Sequence, residues 1–310
     1  MFSVIFPGQG SQVVGMGTDL CKKYKSIKEL FDEADETLNF SISKLIESGP
    51  KEELNLTSNT QPAIFLVSYS IFQLIKNEFS IDLNKAKFFA GHSLGEYTAL
   101  ACAEALSFSS TLKLLRIRGE AMQNSIPNGT GGMVAVLGSD LETVEKIMLE
   151  NKNKYECFIA NDNSNGQIVI SGTLNNLELI SIDFKKHNIK NIKLPVSAPF
   201  HCKLMENATK IMQGEIEKCD FKSLQNTIIS NVTNEEVTDI SILKKLLVRQ
   251  IESRVRWREN INSMINKGIN QFIEIGPGKV LSGLIKRINK DVKVSAINNE
   301  EDIKLIRLND

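Results

Sequence analysis

The run Gly91-His92-Ser93-Leu94-Gly95 leaves the backbone very few paths. Before it, Ala86-Lys87-Phe88-Phe89-Ala90 reads as a strand; after it, Leu94 to Leu106 reads as a helix. A turn this short between the two forces its apex into strained geometry and tolerates only glycine on either side. Ser93 should therefore hold its hydroxyl in open space, beside the N–H groups of a helix start. The G-x-S-x-G spacing is that of a nucleophile elbow, and it predicts acyl chemistry.

The rest of the chain alternates strands and helices around this turn. Phe2 to Phe6 is an apolar strand ended by the loop Pro7-Gly8-Gln9-Gly10-Ser11-Gln12. Helical patterns follow over 17–23 and 26–38, then a polar stretch near Pro50. Thr60-Gln61-Pro62 opens a helix whose continuation, AIFLVSYSIFQLIKNEF, is apolar on nearly every side and so should be buried. Between Gly132 and Ser197 the order becomes strand 133–137, helix 141–151, strands 156–160 and 167–171, helix 174–187 and strand 189–195. This βαββαβ order is the ferredoxin-like motif. Beyond it the pattern is helix 203–217, strand 227–231, helices 240–251 and 258–267 and strand 271–275. A helix after Gly276-Pro277-Gly278 and a strand over 293–297 complete it. The expected fold class is α/β: an α/β-hydrolase-like parallel-sheet domain, residues 1–128 and 198–310, with a ferredoxin-like subdomain, residues 129–197, inserted.

Composition narrows the function classes. The 37 basic and 37 acidic side chains balance, which argues against nucleic acid or an anionic membrane as a general partner. The five cysteines form no C-x-x-C pair, which fits reduced thiols better than a disulfide framework or a metal site. No signal-peptide pattern and no run of about twenty apolar residues is present, so a soluble cytoplasmic protein, monomeric by default, is expected.

A serine hydroxyl needs a base within hydrogen-bond reach, and the chain has three histidines. His92 leaves the turn in a different direction from Ser93 and reads as packing of the elbow. His187, in Lys185-Lys186-His187-Asn188, reads as a solvated helix end. His201, in Ser197-Ala198-Pro199-Phe200-His201, remains as the candidate base. About a third of the chain still follows it, whereas an α/β-hydrolase places its triad histidine near the C-terminus; that weakens a lipase or esterase reading. No acid partner is evident, and a backbone carbonyl could orient the ring instead. Arg118 falls in the middle of the apolar face formed by Leu114, Leu115, Ile117, Ala121 and Met122, while Lys113, Arg116 and Glu120 point away. An inward arginine needs a partner. Either a buried carboxylate of the protein or a carboxylate arriving with a substrate would suit its planar fork. The loop Gly8 to Gln12 lacks the spacing of a phosphate loop and could supply the second half of an oxyanion hole with Leu94.

These residues sit in a wider pattern. FPGQGSQ at 6–12, TQPAIF at 60–65, GHSLGEYTAL at 91–100, R-x-R-G at 116–119, NSNGQIVISG at 163–172, PFH at 199–201 and EIGPGKVLSGL at 274–284 stand in one order along the chain. In these motifs the chain resembles the malonyl-CoA:acyl carrier protein transacylases over essentially its full length. The resemblance implies that Ser93 is acylated, that His201 is the base and that Arg118 clamps the malonyl carboxylate. It implies oxyanion N–H groups at Gln12 and Leu94, and a main-chain carbonyl of Gln250 orienting the histidine. Met122 and Phe200 would line the acyl pocket, with the bulk of Phe200 disfavouring an α-methyl substituent. The implied substrates are malonyl-CoA and holo acyl carrier protein, with no cofactor and no metal. Because carrier proteins are acidic, basic side chains near the cleft are expected to meet them, with Lys185, Lys186 and Lys190 as candidates. Three rivals share the features: a thioesterase or carboxylesterase using water, a non-catalytic carrier-binding scaffold, and a loading enzyme of polyketide or polyunsaturated lipid synthesis.

Overall fold

The computed structural model describes residues 1–308. Among the described residues, ten strands form two sheets. They are β1 (Phe2–Phe6), β2 (Phe88–Gly91), β3 (Gly131–Leu137), β4 (Cys157–Ser164), β5 (Gln167–Thr173), β6 (Lys190–Lys193), β7 (Thr227–Ile229), β8 (Glu236–Val237), β9 (Gln271–Ile275) and β10 (Lys293–Ile297). The large sheet runs β10-β9-β1-β2-β7-β8 and is parallel except at its β8 edge. Strand β1 lies at its centre, with Val4 opposite both Phe89 of β2 and Ile273 of β9. Every residue of β1, β2 and β9 is buried, as a parallel sheet covered on both faces requires.

The second sheet, β4-β5-β3-β6, is antiparallel throughout. The alternation of side chains divides β3 between two environments. Val134 and Val136 pack with Val144, Ile147, Leu177 and Phe184 of the helices Leu141–Glu150 and Leu174–Lys186. Met133 and Ala135 face a cavity shared with the loops that follow β1 and β2. Where β4 bulges, the second sheet is tied to the segment that leads into the helix Trp257–Asn266: Asn161 bridges Val255, Val255 N–H donates to the Ala160 carbonyl at 2.8 Å, and Asp162 N–H donates to the Val255 carbonyl at 3.0 Å. Beside this seam the buried Asp162 carboxylate takes the Arg258 guanidinium through Nε at 2.9 Å and Nη2 at 2.8 Å.

Two helix boundaries differ from the sequence reading for clear reasons. The buried helix is Thr57–Asn77, so Pro62 lies inside it rather than at its opening. Proline has no N–H for the Ser58 carbonyl one turn earlier, and Arg116 Nη1 donates to that oxygen instead, at 3.3 Å. The helix after the elbow is Leu94–Cys102; it ends where Glu104 adopts φ 62° and Ala105 N–H reaches back to the Leu100 carbonyl at 2.9 Å. The polar stretch near Pro50 holds two short helices, Ile42–Ser48 and Lys51–Leu54. All five cysteines are free thiols. Among the described residues no helix is long and apolar enough to cross a membrane.

Candidate active site

The ends of β1 and β2 approach so closely that two glycines of the elbow have no alternative. A Cβ on Gly91 would lie 1.9 Å from the Gly95 carbonyl carbon, and one on Gly95 would lie 2.3 Å from the Phe6 carbonyl oxygen. The loop after β1 is pressed against the same turn, since a Cβ on Gly8 would meet the His92 carbonyl oxygen at 2.6 Å. At the apex Ser93 has φ 54° and ψ −109°. A non-glycine residue in that region stores strain and persists only where its surroundings hold it. Both main-chain groups of Ser93 are held by side chains: its N–H donates to Asn231 Oδ1 at 2.8 Å, and its carbonyl accepts from Gln250 Nε2 at 3.0 Å.

The strained turn sets Ser93 Oγ 2.8 Å from His201 Nε2. His201 Nδ1 lies 2.9 Å from the Gln250 main-chain carbonyl, which only accepts, so Nδ1 carries the proton and Nε2 presents its lone pair to the serine. Burial, and then the charge of Arg118, hold the His201 imidazole far below its ordinary range, at about 3. In this neutral form it can take the hydroxyl proton.

Arg118, on the helix Phe108–Gln123, is 1% exposed. Its direct partners are not carboxylates. Nη1 donates to Gln61 Oε1 at 2.8 Å, and Nη2 donates to Gln250 Oε1 at 2.8 Å and to Ser93 Oγ at 3.1 Å. Two neutral amide oxygens therefore hold a full cation beside the serine oxygen. The nearest carboxylate is that of the fully buried Glu96, one amide group away behind Gln250. Burial pushes Glu96 up to about 7, against the lowering effects of Gln250, the Asn231 N–H and Arg118.

Ser93, His201 and Arg118 open into a cavity of about 480 Å³ between the second sheet and the loops that follow β1 and β2. Gln12, Leu94, Met122 and Phe200 also line it, so the residues expected to carry the chemistry and the acyl pocket meet at one place, with Gln250 directly behind. Leu94 is the first residue of its helix, and its N–H is among those a helix leaves without an internal partner. Gln12 has its side chain tied down: Oε1 accepts from Gly10 N–H at 2.7 Å and Nε2 donates to Asn55 Oδ1 at 2.9 Å. Neither Lys185, Lys186 nor Lys190 lines the cavity; besides Arg118, the cation at its wall is Lys51. His92 Nε2 lies 2.8 Å from Asn163 Oδ1 and its ring packs on Trp257, while His187 is an exposed helix cap.

The amides of Gln61 and Gln250, together with Asn231 and Glu96, escaped the sequence reading. A single amide residue carries no spacing signal; Gln61, in TQPAIF, and Glu96, in GHSLGEYTAL, stood within recognised motifs, but neither motif assigns the side chain a role.

A family model described as the acyl transferase domain matches residues 3–304. The chain belongs to the acyl transferase family. Among its relatives, this acyltransferase is 44% identical over 305 residues to the malonyl CoA-acyl carrier protein transacylase of Bacillus subtilis, covering 97% of this chain and 94% of that one. It is 37% identical over 298 residues to the protein of the same name from Escherichia coli K12, covering 96% of each chain. Of solved structures, the acyl-carrier-protein-S-malonyltransferase of Bartonella henselae superposes with a TM-score of 0.95 at 40% identity, covering 98% of this chain and 97% of that one. A malonyl-transacylase solved in complex with its type II polyketide acyl carrier protein gives a TM-score of 0.93 at 35% identity, covering 98% and 97%.

Proposed function

We propose that this acyltransferase moves a malonyl group from malonyl-CoA to the phosphopantetheine thiol of an acyl carrier protein, through an ester on Ser93. The observation that carries this reading is the buried Arg118 guanidinium, 3.1 Å from Ser93 Oγ and without a carboxylate of its own. It is placed to receive a carboxylate on the acyl group being transferred. The names of the relatives point the same way.

In the first half-reaction Ser93 Oγ attacks the thioester carbonyl while His201 Nε2 takes its proton. The tetrahedral oxyanion rests on the N–H groups of Leu94 and Gln12. Collapse breaks the carbon–sulfur bond, and coenzyme A leaves as a thiol with the proton returned by His201. In the second half the carrier thiol gives its proton to His201 and attacks the ester, and Ser93 Oγ departs and recovers the proton. The Gln250 carbonyl holds the ring through Nδ1 in both halves, in place of a triad carboxylate. Arg118 confers selectivity, because an acetyl group would leave its outward N–H groups without a partner. The scheme needs no cofactor. Residues 129–197, with their own sheet and apolar cluster, would form an inserted domain that roofs the cavity, and the free thiols support a reducing compartment, the cytoplasm.

The test is incubation with malonyl-, methylmalonyl- and acetyl-CoA, intact-mass analysis with mapping to Ser93, then addition of a holo carrier protein. A malonyl adduct that survives without a thiol acceptor and is discharged by the carrier is the expected result. No adduct, or one lost to water as fast as to the carrier, would overturn the proposal and favour a hydrolase.

A further inference from the structure

Glu96 is 0% exposed, stands one helical turn after Ser93 and touches neither the cavity nor the serine side chain. Its Oε2 accepts twice, from Gln250 Nε2 at 2.7 Å and from the Asn231 main-chain N–H at 3.3 Å. Those two residues are the ones that hold the Ser93 main chain, Asn231 at the N–H and Gln250 at the carbonyl. Asn231 is also fixed through Nδ2, which donates to the Gly91 carbonyl at 2.8 Å.

The spacing Ser93 to Glu96 is that of a capping box, in which the glutamate reaches back to the N–H of the capping serine. Here Ser93 makes no side-chain cap, because its hydroxyl faces His201. Asn231 has stepped between the glutamate and the serine N–H, so the box closes through a relay. On the other side of the carboxylate, the Gln250 amide has a forced orientation. A guanidinium only donates, so the amide oxygen must face Arg118, which turns the amide nitrogen toward Glu96.

We infer that Glu96 is a positioning residue for acyl transfer: one carboxylate oxygen anchors both clamps on the strained Ser93 and, through the Gln250 amide, aims Arg118 at the acyl group. The inference rests on the proposed malonyl transfer for its selectivity readout. Its content is the position of an acceptor oxygen, and two substitutions separate position from charge. Glu96→Gln keeps an acceptor oxygen at full reach and removes the charge. Glu96→Asp keeps the charge and withdraws the oxygen by one methylene, out of reach of both N–H groups.

The experiment compares the two variants and the parent, each shown to be folded by thermal melting. Two readouts are taken: kcat and KM for malonyl and acetyl transfer, and the rate at which a fluorophosphonate labels Ser93. Glu96→Gln should remain within about threefold of the parent in both. Glu96→Asp should lose at least about tenfold in kcat and in labelling rate, and its malonyl-over-acetyl preference should fall at least about tenfold. Equal behaviour of the two variants, or a larger loss in Glu96→Gln, would overturn the inference. The labelling arm involves no malonyl group, so it still decides the positioning of Ser93 if the parent proves not to transfer malonyl at all.

Discussion

Arg118 is a cation held by amides. A guanidinium locked to a protein carboxylate would have its fork occupied and its charge largely cancelled; Gln61 and Gln250 hold the side chain in place and leave the charge in force at the serine oxygen. Replacing it, Arg118→Ala, should weaken use of malonyl-CoA by about 2–5 kcal/mol in kcat/KM and leave acetyl transfer nearly untouched, reversing the preference. A transfer assay with the two thioesters side by side measures this, and an unchanged ratio would show that Arg118 does not set the selectivity. The same charge bears on the base. Burial first and Arg118 second depress the His201 imidazole to about 3, so it is proton-free across the neutral range. A substrate carboxylate seated on Arg118 would cancel part of that depression, so the acid limb of kcat should lie at higher pH than that of kcat/KM. In Arg118→Ala both limbs should move up, and coincident limbs in the parent would contradict the coupling.

At the scale of elements, the arginine helix Phe108–Gln123 is located by its contact with the helix Thr57–Asn77. A Cβ on Gly119 would lie 2.5 Å from the Thr57 carbonyl oxygen and 2.7 Å from Ser58 Cα, backbone atoms that cannot swing away. Gly119→Ala should therefore separate the helices, lower stability by about 1–3 kcal/mol and retract Arg118 from Ser93. Urea unfolding combined with the malonyl-to-acetyl ratio would detect both effects together; a stable variant with an intact ratio would show that the helices tolerate the displacement. This crossing also marks where sequence reading stops. Arg118 stood out because a charged residue on an apolar stripe is rare, and Ser93 and the glycines beside it because the turn admits nothing else. Pro62 misled, because proline usually marks the first turn of a helix, and the guanidinium that takes up the freed Ser58 carbonyl lies more than fifty residues further along the chain. Asn231 and the Gln250 side chain left no trace in any pattern. Their meaning lies in what they face, and that is set by sheet order.

Considered as a whole, the molecule buries two groups whose titration opposes each other. Glu96, raised to about 7 from an ordinary 4.5, keeps its proton in the folded state where the unfolded chain releases it, so its contribution to stability declines as pH rises from 4.5 through 7. His201, lowered to about 3 from 6.5, refuses a proton that the unfolded chain accepts, so its contribution declines as pH falls below 6.5. Glu96→Gln removes the first effect alone. Its melting temperature relative to the parent should thus rise by a few degrees between pH 5 and pH 8, and a constant difference across that range would show that Glu96 titrates normally.

The order in which the site's parts appear along the chain has a consequence for synthesis. Ser93 leaves the ribosome long before His201, Asn231 and Gln250, and β1 must wait for β9 before both its edges are paired. Until residue 250 has emerged, the serine carbonyl lacks its Gln250 clamp, and the His201 ring lacks the carbonyl that orients it. A chain that stops short of residue 250 therefore lacks a complete acylation site.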